Sequence, residues 1–172
     1  KKSQNIKVNA PNYWVNSTSS RALLSYVGYL TDKDNDNMQK LMDGECIETT
    51  INDSMNYDDL DQVCELEAHA FSMPWKKPDF IQMIESQQSL YFVAVEESNP
   101  NEILGCCGVR NIVMEGDISN VVVRQDARNK GIGKKMLTHL LECAHKDWGV
   151  TEFTLEVRVG NTPAIRLYES LG

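Results

Sequence analysis

The stretch "VRQDARNKGIGKKM", residues 123–136, decides how this chain is read. It holds Gly131, Gly133 and five of the seventeen Lys and Arg: Arg124, Arg128, Lys130, Lys134 and Lys135. The apolar run before it, "ISNVVV" (118–123), reads as a buried strand. In "GKKMLTHLLECAHKD" (133–147) and the residue before it, Ile132, Met136, Leu140 and Ala144 recur every fourth residue. That spacing predicts a helix, closed by Gly149. A strand, a glycine loop and a helix in that order leave amide N–H groups at the helix start without intrahelical partners. The helix dipole adds positive charge there, and glycine lets a ligand approach the backbone. The corner therefore suits a di- or triphosphate. A plain turn fits the same residues, because Gly-x-Gly recurs in many loops. G-x-x-x-x-G-K-S/T is absent, and so is the third glycine of a dinucleotide fingerprint.

Outward from this corner the pattern is regular. "TEFTLEVRV" (151–159) predicts a strand and "NTPAIRLYESLG" (161–172) a helix. Thr162 is placed to cap that helix, with Pro163 in its first turn and Ile165, Tyr168 and Leu171 on one face. Strand, helix and strand across 118–159 form a β-α-β unit with two parallel strands. Upstream, "CIETTIN" (46–52) predicts a strand. "YDDLDQVCELEAHAF" (57–71) predicts a helix with Val63, Leu66 and Ala70 on one face, and Pro74 stops it. "KPDFIQMIES" (77–86) is a second helix. "LYFVAVEE" (90–97) and "EILGCCGVRNIV" (102–113) form a hairpin turning at "NPN", and "EGD" starts the next turn. The fold class is α/β, or α+β, around one mixed sheet. Residues 1–44 read as a partly helical N-terminal extension of unknown role, with 1–20 a weakly ordered arm and "RALLSYVGYL" and "NMQKLMDG" as short helices. Residues 45–172 form the main domain.

Composition narrows the function. At 172 residues the chain fits one domain with an appendage. A net charge of -8 argues against direct nucleic-acid binding, which needs a basic face. Five cysteines, at 46, 64, 106, 107 and 143, with no C-x-x-C, point to free thiols in a reducing cytoplasm and to no zinc site. His69, His139 and His145 lack metal-ligand spacing, and the last two are expected on an exposed helix face. A nucleophilic cysteine at 106 or 107 would need a histidine partner. "ALLSYVGYL", the longest apolar stretch, is far too short to cross a bilayer, and its polar lead-in does not resemble a signal peptide. The chain opens on Lys1, so a trimmed start is expected.

The run "VVVRQDARNKGIGKKML" resembles the acetyl-CoA loop of the GNAT N-acetyltransferases, whose core is R/Q-x-x-G-x-G/A, here Arg128, Gly131 and Gly133. "LEVRVGNTPAIRLYESLG" (155–172) is similar to the closing motif of that superfamily's RimI branch, the ribosomal-protein N-terminal alanine acetyltransferases. "EAHAFSMPW" (67–75) is similar to the end of the same branch's first helix. The similarity covers about residues 45–172, and the element order derived above matches the GNAT fold.

The resemblance implies a protein N-α-acetyltransferase that moves acetyl from acetyl-CoA to an N-terminal amine, with the N-terminal alanine of a ribosomal protein as the acceptor. It implies that Arg128, Asn129, Lys130, Gly131, Ile132, Gly133 and Lys134 hold the diphosphate and that the backbone of Val121, Val122 and Val123 pairs with the pantetheine. A bulge there should splay this strand from the next. Glu156 is implied as the general base, a role that partial burial would favour, and Tyr168 as the general acid on the departing thiolate. Asn161 is implied as a cofactor contact, though a helix cap or turn accounts for it as well. Phe71, Pro74 and Trp75 either wall the acceptor channel or anchor their loop. The family continues beyond "YESLGF" into two further strands, so an open sheet edge and an incomplete acceptor groove are expected here. Two other readings stay open: a GNAT enzyme for a small amine such as a polyamine, and a non-catalytic acyl-CoA-binding module. No metal and no membrane partner are expected.

Overall fold

The structure is a computed structural model that describes residues 3–9, 49–52 and 54–171. The helices expected in "RALLSYVGYL" and "NMQKLMDG", and the first residues of "CIETTIN", lie outside the described residues. Among the described residues six strands form one mixed sheet: β1 (Ser3–Asn9), β2 (Thr49–Asn52), β3 (Ser89–Glu96), β4 (Asn99–Ile112), β5 (Glu115–Val123) and β6 (Glu152–Arg158). Their order across the sheet is β1-β6-β5-β4-β3-β2. Of these strands only β5 and β6 pair in parallel, as the β-α-β reading requires.

Four described helices cover the two faces: α1 (Leu60–Ala70), α2 (Lys77–Glu85), α3 (Ile132–Trp148) and α4 (Thr162–Glu169). A single turn, Tyr57–Asp59, leads into α1 and is capped by Asn56, whose side chain accepts from the Asp58 amide. The faces separate by alternation along the strands. Tyr91, Val93, Cys106 and Val122 join Val63, Leu66, Phe80 and Met83 of α1 and α2 in one core. Phe80 sits edge-on to Tyr91 with ring centroids 5.5 Å apart. On the other face α3 packs on β3 and β4. There the thiol of Cys107 lies 3.8 Å from the Met136 carbonyl, and Phe92 meets His139 at 5.0 Å.

Three expectations about the connections and edges change. The β3–β4 turn falls at Glu97 and Ser98, so Pro100 lies inside β4. The register shifts beside Val95 and Glu96, and such a bulge accommodates a residue that cannot donate to the ladder. The β4–β5 turn is Val113–Met114, one step before "EGD"; both residues have positive φ, 52° and 70°. Two-residue hairpins need that backbone, and sequence alone gives no reason for Val to adopt it. Most consequentially, the outer edge of β6 is not open. β1 pairs antiparallel with all of it, from Ser3↔Arg158 to Asn9↔Glu152. Residues 3–9 are thus a sheet strand rather than a loose arm.

Candidate active site

The site begins as a fork between the two parallel strands. β5 and β6 pair only from Glu115↔Glu152 to Ile118↔Leu155. Beyond that point they part. The cause is local: Gly108 of β4 faces Asn120 while Val109 faces Ile118, so Ser119 is an extra residue in β5. A bulge of this kind bends its strand and ends pairing on the far side. Val121, Val122 and Val123 continue β5 against Cys107, Cys106 and Gly105 of β4, and their other edge opens into the fork. Alternate residues of that edge turn backbone N–H and C=O groups outward, as a strand-like ligand requires. A groove of about 740 Å³ runs beside it, lined by Leu66, His69 and Ala70 of α1, Val122 and Val123 of β5, and Arg128.

At the end of β5 the chain turns into the glycine loop. Arg124 donates to Glu102 and to Asp126 (2.7 Å), which fixes the exit of the strand. The Arg124 guanidinium holds the Asp126 carboxyl below its ordinary range. Arg128 Nε donates to the Val123 carbonyl at 3.0 Å, so this side chain ties loop to strand as well as lining the groove. Asn129 and Gly131 have φ of 64° and 78°, and Gly131 is the residue from which α3 starts. A Cβ on Gly131 would meet nothing within 4 Å, so that side of the loop is open to a ligand. The Gly131 carbonyl takes the Lys135 amide, which leaves the amides of Ile132, Gly133 and Lys134 as the free start of the helix. Ile132 itself is buried, so only its backbone faces a ligand. A Cβ on Gly133 would approach Leu167 Cδ2 at 3.2 Å and Val123 Cγ2 at 3.5 Å. The loop therefore sits directly between β5 and α4. Lys130 is exposed and Lys134 half-buried at the same corner.

Glu156 lies on β6 just past the fork and is exposed, without the partial burial that would favour the role of a base. The alternation of the strand explains this: Phe153, Leu155 and Val157 are buried on the other face. Two residues on, Arg158 donates to Ser72 Oγ at 3.2 Å, so Glu156 shares the face of the α1–α2 connection. Tyr168 is 8% exposed on α4. Burial, with a smaller contribution from Cys107, raises its phenol above the ordinary value. Glu156 and Tyr168 thus come from opposite layers and make no hydrogen bond to each other. Asn161 caps α4 by accepting from the Ala164 amide at 3.5 Å, in place of Thr162. Phe71 and Trp75 pack partly buried on the α1–α2 core, which favours the anchoring role for this loop.

One buried group escaped sequence reasoning. Glu67 is 2% exposed on α1. Its carboxylate accepts from the Asn120 side chain, next to the bulge, and from the Trp75 amide. Burial raises its pKa against the pull of both donors. The signal was an acidic residue on the same helical face as Val63, Leu66 and Ala70. Cysteine chemistry is disfavoured: burial pushes Cys106 up to about 12 and Cys107 well above its ordinary value, so neither is a thiolate near neutrality. His139 and His145 are half-buried rather than exposed; His145 Nδ1 lies 3.0 Å from the Val150 carbonyl. His69 Nδ1 lies 2.8 Å from the Glu65 carbonyl one turn back. No cluster of metal-ligating side chains is found among the described residues.

Comparison with known proteins shows what this chain is similar to. The acetyltransferase (GNAT) family matches residues 60–172. A Bacillus subtilis protein described as a putative ribosomal protein bS18-alanine N-acetyltransferase is 29% identical over 120 residues, 69% of this chain and 77% of its own. The Escherichia coli ribosomal protein bS18-alanine N-acetyltransferase is 29% identical over 119 residues, again 69% and 77%. The crystal structure of the ribosomal-protein-S18-alanine N-acetyltransferase from Escherichia coli superposes with a TM-score of 0.63 at 30% identity, over 72% of this chain and 76% of that one. The forked sheet, the glycine loop and these likenesses together place the chain in the GNAT family, on its RimI-like side, as an acetyl-CoA-dependent acetyltransferase.

Proposed function

We propose that the chain acetylates the α-amine of a protein N-terminus, with an alanine-initiated ribosomal protein as the acceptor. The likeness to bS18-alanine N-acetyltransferases supports the acceptor, and the fork carries the chemistry. Acetyl-CoA supplies an acetyl group activated as a thioester. The loop fits its diphosphate: open space at Gly131, free amides at 132–134, and the cations Lys130 and Lys134 around them. Asn129 helps by taking the left-handed turn that presents those amides. The open edge of Val121, Val122 and Val123 holds the pantetheine arm as an added strand, and a backbone N–H there polarises the thioester oxygen. Asn161, at the start of α4, contacts the same arm.

The proton steps belong to two side chains. Glu156 takes a proton from the attacking amine, through water, at a carboxylate oxygen exposed on the acceptor side. Tyr168 holds its phenolic proton at neutral pH, because burial keeps it protonated, and gives it to the departing sulfur. Reaction therefore proceeds in a ternary complex with no acyl-enzyme, consistent with protonated buried thiols. The Ser72–Arg158 bond holds the α1–α2 connection over the acceptor face. A net charge of -8 suits a basic acceptor tail, and the free thiols of Cys64, Cys106 and Cys107 suit a cytoplasmic setting. No described helix is long and apolar enough to cross a membrane.

Turnover of acetyl-CoA with an alanine-initiated peptide, against polyamine and aminoglycoside acceptors, tests the substrate class. Peptide turnover at least about tenfold above every small amine is expected, a margin that one or two discriminating contacts supply. The reverse order would assign the small-amine reading instead.

A further inference from the structure

β6 is held unequally along its length. Glu152 to Leu155 are paired on both sides, by β5 and by β1. Past the fork, Glu156, Val157 and Arg158 have ladder partners on one side only: Asn5, Gln4 and Ser3 of β1. The bulge that opens the fork for the cofactor thus strips β6 of its inner neighbour at the residue proposed to be the base. A strand end with no ladder partner on either side frays, and its side chains lose a fixed position. General-base catalysis depends on such a position to within hydrogen-bond reach.

We propose that the N-terminal segment Ser3–Asn9 is a positioning strand for acetyl transfer: docked on β6, it fixes Glu156 at the mouth of the fork, and undocked it leaves coenzyme A bound but transfer slow. The inference rests on the proposed role of Glu156. The glycine loop and Val121–Val123 are spared because they lie on β5 and at the start of α3, with β6 between β5 and β1 in the sheet, whereas α4, which starts at Asn161, packs on β1. The thirty-nine positions between Asn9 and Thr49 join the two sheet edges through the chain, so docking is an intramolecular event of high effective concentration.

The test uses the full chain with Asn5→Pro and, separately, Ile6→Pro. Proline donates no backbone hydrogen bond, and adjacent residues of a strand aim their N–H groups to opposite sides, so one of the two removes a ladder bond to β6. In the affected variant, hydrogen exchange at the amides of Glu156–Arg158 should quicken at least about tenfold while α3 stays protected. Its kcat for the alanine-initiated peptide should fall about tenfold or more, with coenzyme A affinity within about threefold of wild type. A synthetic peptide of residues 3–9 at millimolar concentration should restore part of the rate. Unchanged exchange and kcat in both variants would overturn the proposal. So would a joint loss of α3 protection and coenzyme A binding, which reports unfolding. Glu156→Gln separates the two ideas: if it turns over normally the base assignment fails, while exchange at 156–158 still reports whether β1 holds the strand.

Discussion

Replacing Gly131 by Ala should separate the glycine loop's backbone role from any side-chain role. A Cβ at this position touches nothing within 4 Å, so no clash contributes. What remains is the backbone: φ is 78°, a region that costs an L-residue about 1–2 kcal/mol relative to glycine. That cost must appear somewhere. If the Gly131→Ala variant keeps the conformation, the free protein is destabilised by about 1–2 kcal/mol. If the free loop relaxes, stability is spared and ligand must restore the turn, which weakens coenzyme A binding by about 5- to 30-fold at about 1.4 kcal/mol per tenfold. Either way the coenzyme A-saturated variant is less stable than the saturated wild type by the same about 1–2 kcal/mol. Urea unfolding with and without coenzyme A, together with calorimetry, measures both terms. Pantetheine, which lacks the diphosphate, is the control and should bind the two proteins alike. Gly133→Ala has no such backbone cost; its Cβ meets the mobile end of Leu167 at 3.2 Å, so an effect below about 1 kcal/mol is expected. A saturated Gly131→Ala protein as stable as wild type would refute the cradle, and so would an equal loss of pantetheine and coenzyme A affinity.

Three other outcomes follow from the same geometry. Tyr168→Phe should lower kcat by about 10- to 100-fold with little change in KM; since burial raises the phenol, the wild-type alkaline limb assigned to Tyr168 should lie above pH 10, as a kcat–pH profile would show. Glu67 has a raised pKa, so the native state holds that proton more tightly than the unfolded one. Its contribution is greatest in acid, declines as pH rises from the unfolded value of about 4.5 through the raised native value, and is then constant; urea unfolding of Glu67→Gln should lack that decline. Glu67→Ala, which leaves the Asn120 amide and the Trp75 N–H unpaired beside the bulge, should cost about 1–3 kcal/mol. Val113 is 92% exposed with φ of 52°, so Val113→Asn with Met114→Gly should stabilise the hairpin by about 1–2 kcal/mol in thermal unfolding.

Legibility followed the range of the interactions. The β-α-β unit was readable because its signals are local: Ile132, Met136, Leu140 and Ala144 at helical spacing, and an alternating β6. The glycine loop was readable because Gly131 needs a left-handed turn that few other residues adopt. Ser3–Asn9 was not, since Ile6 and Val8 are its only large apolar residues and its partner lies some 150 positions away. Nor was the Val113–Met114 turn, where two apolar residues are forced into positive φ by the pairing on either side and "EGD" offered a better local signal. Glu67 was hidden for a third reason. Its partner Asn120 is brought across by the bulge, and bulges leave no mark in composition. The exposure of Glu156 was legible in the parity of β6, which sets it on the face opposite the apolar Phe153, Leu155 and Val157.

The central claim is that a thioester held in the fork meets Glu156. Acetyl transfer from acetyl-CoA to an alanine-initiated peptide by Glu156→Gln, with coenzyme A affinity taken on the same sample, tests it most directly. A kcat lower by about 100-fold or more, with affinity within about threefold of wild type, is the predicted result. Wild-type turnover by that variant would contradict it.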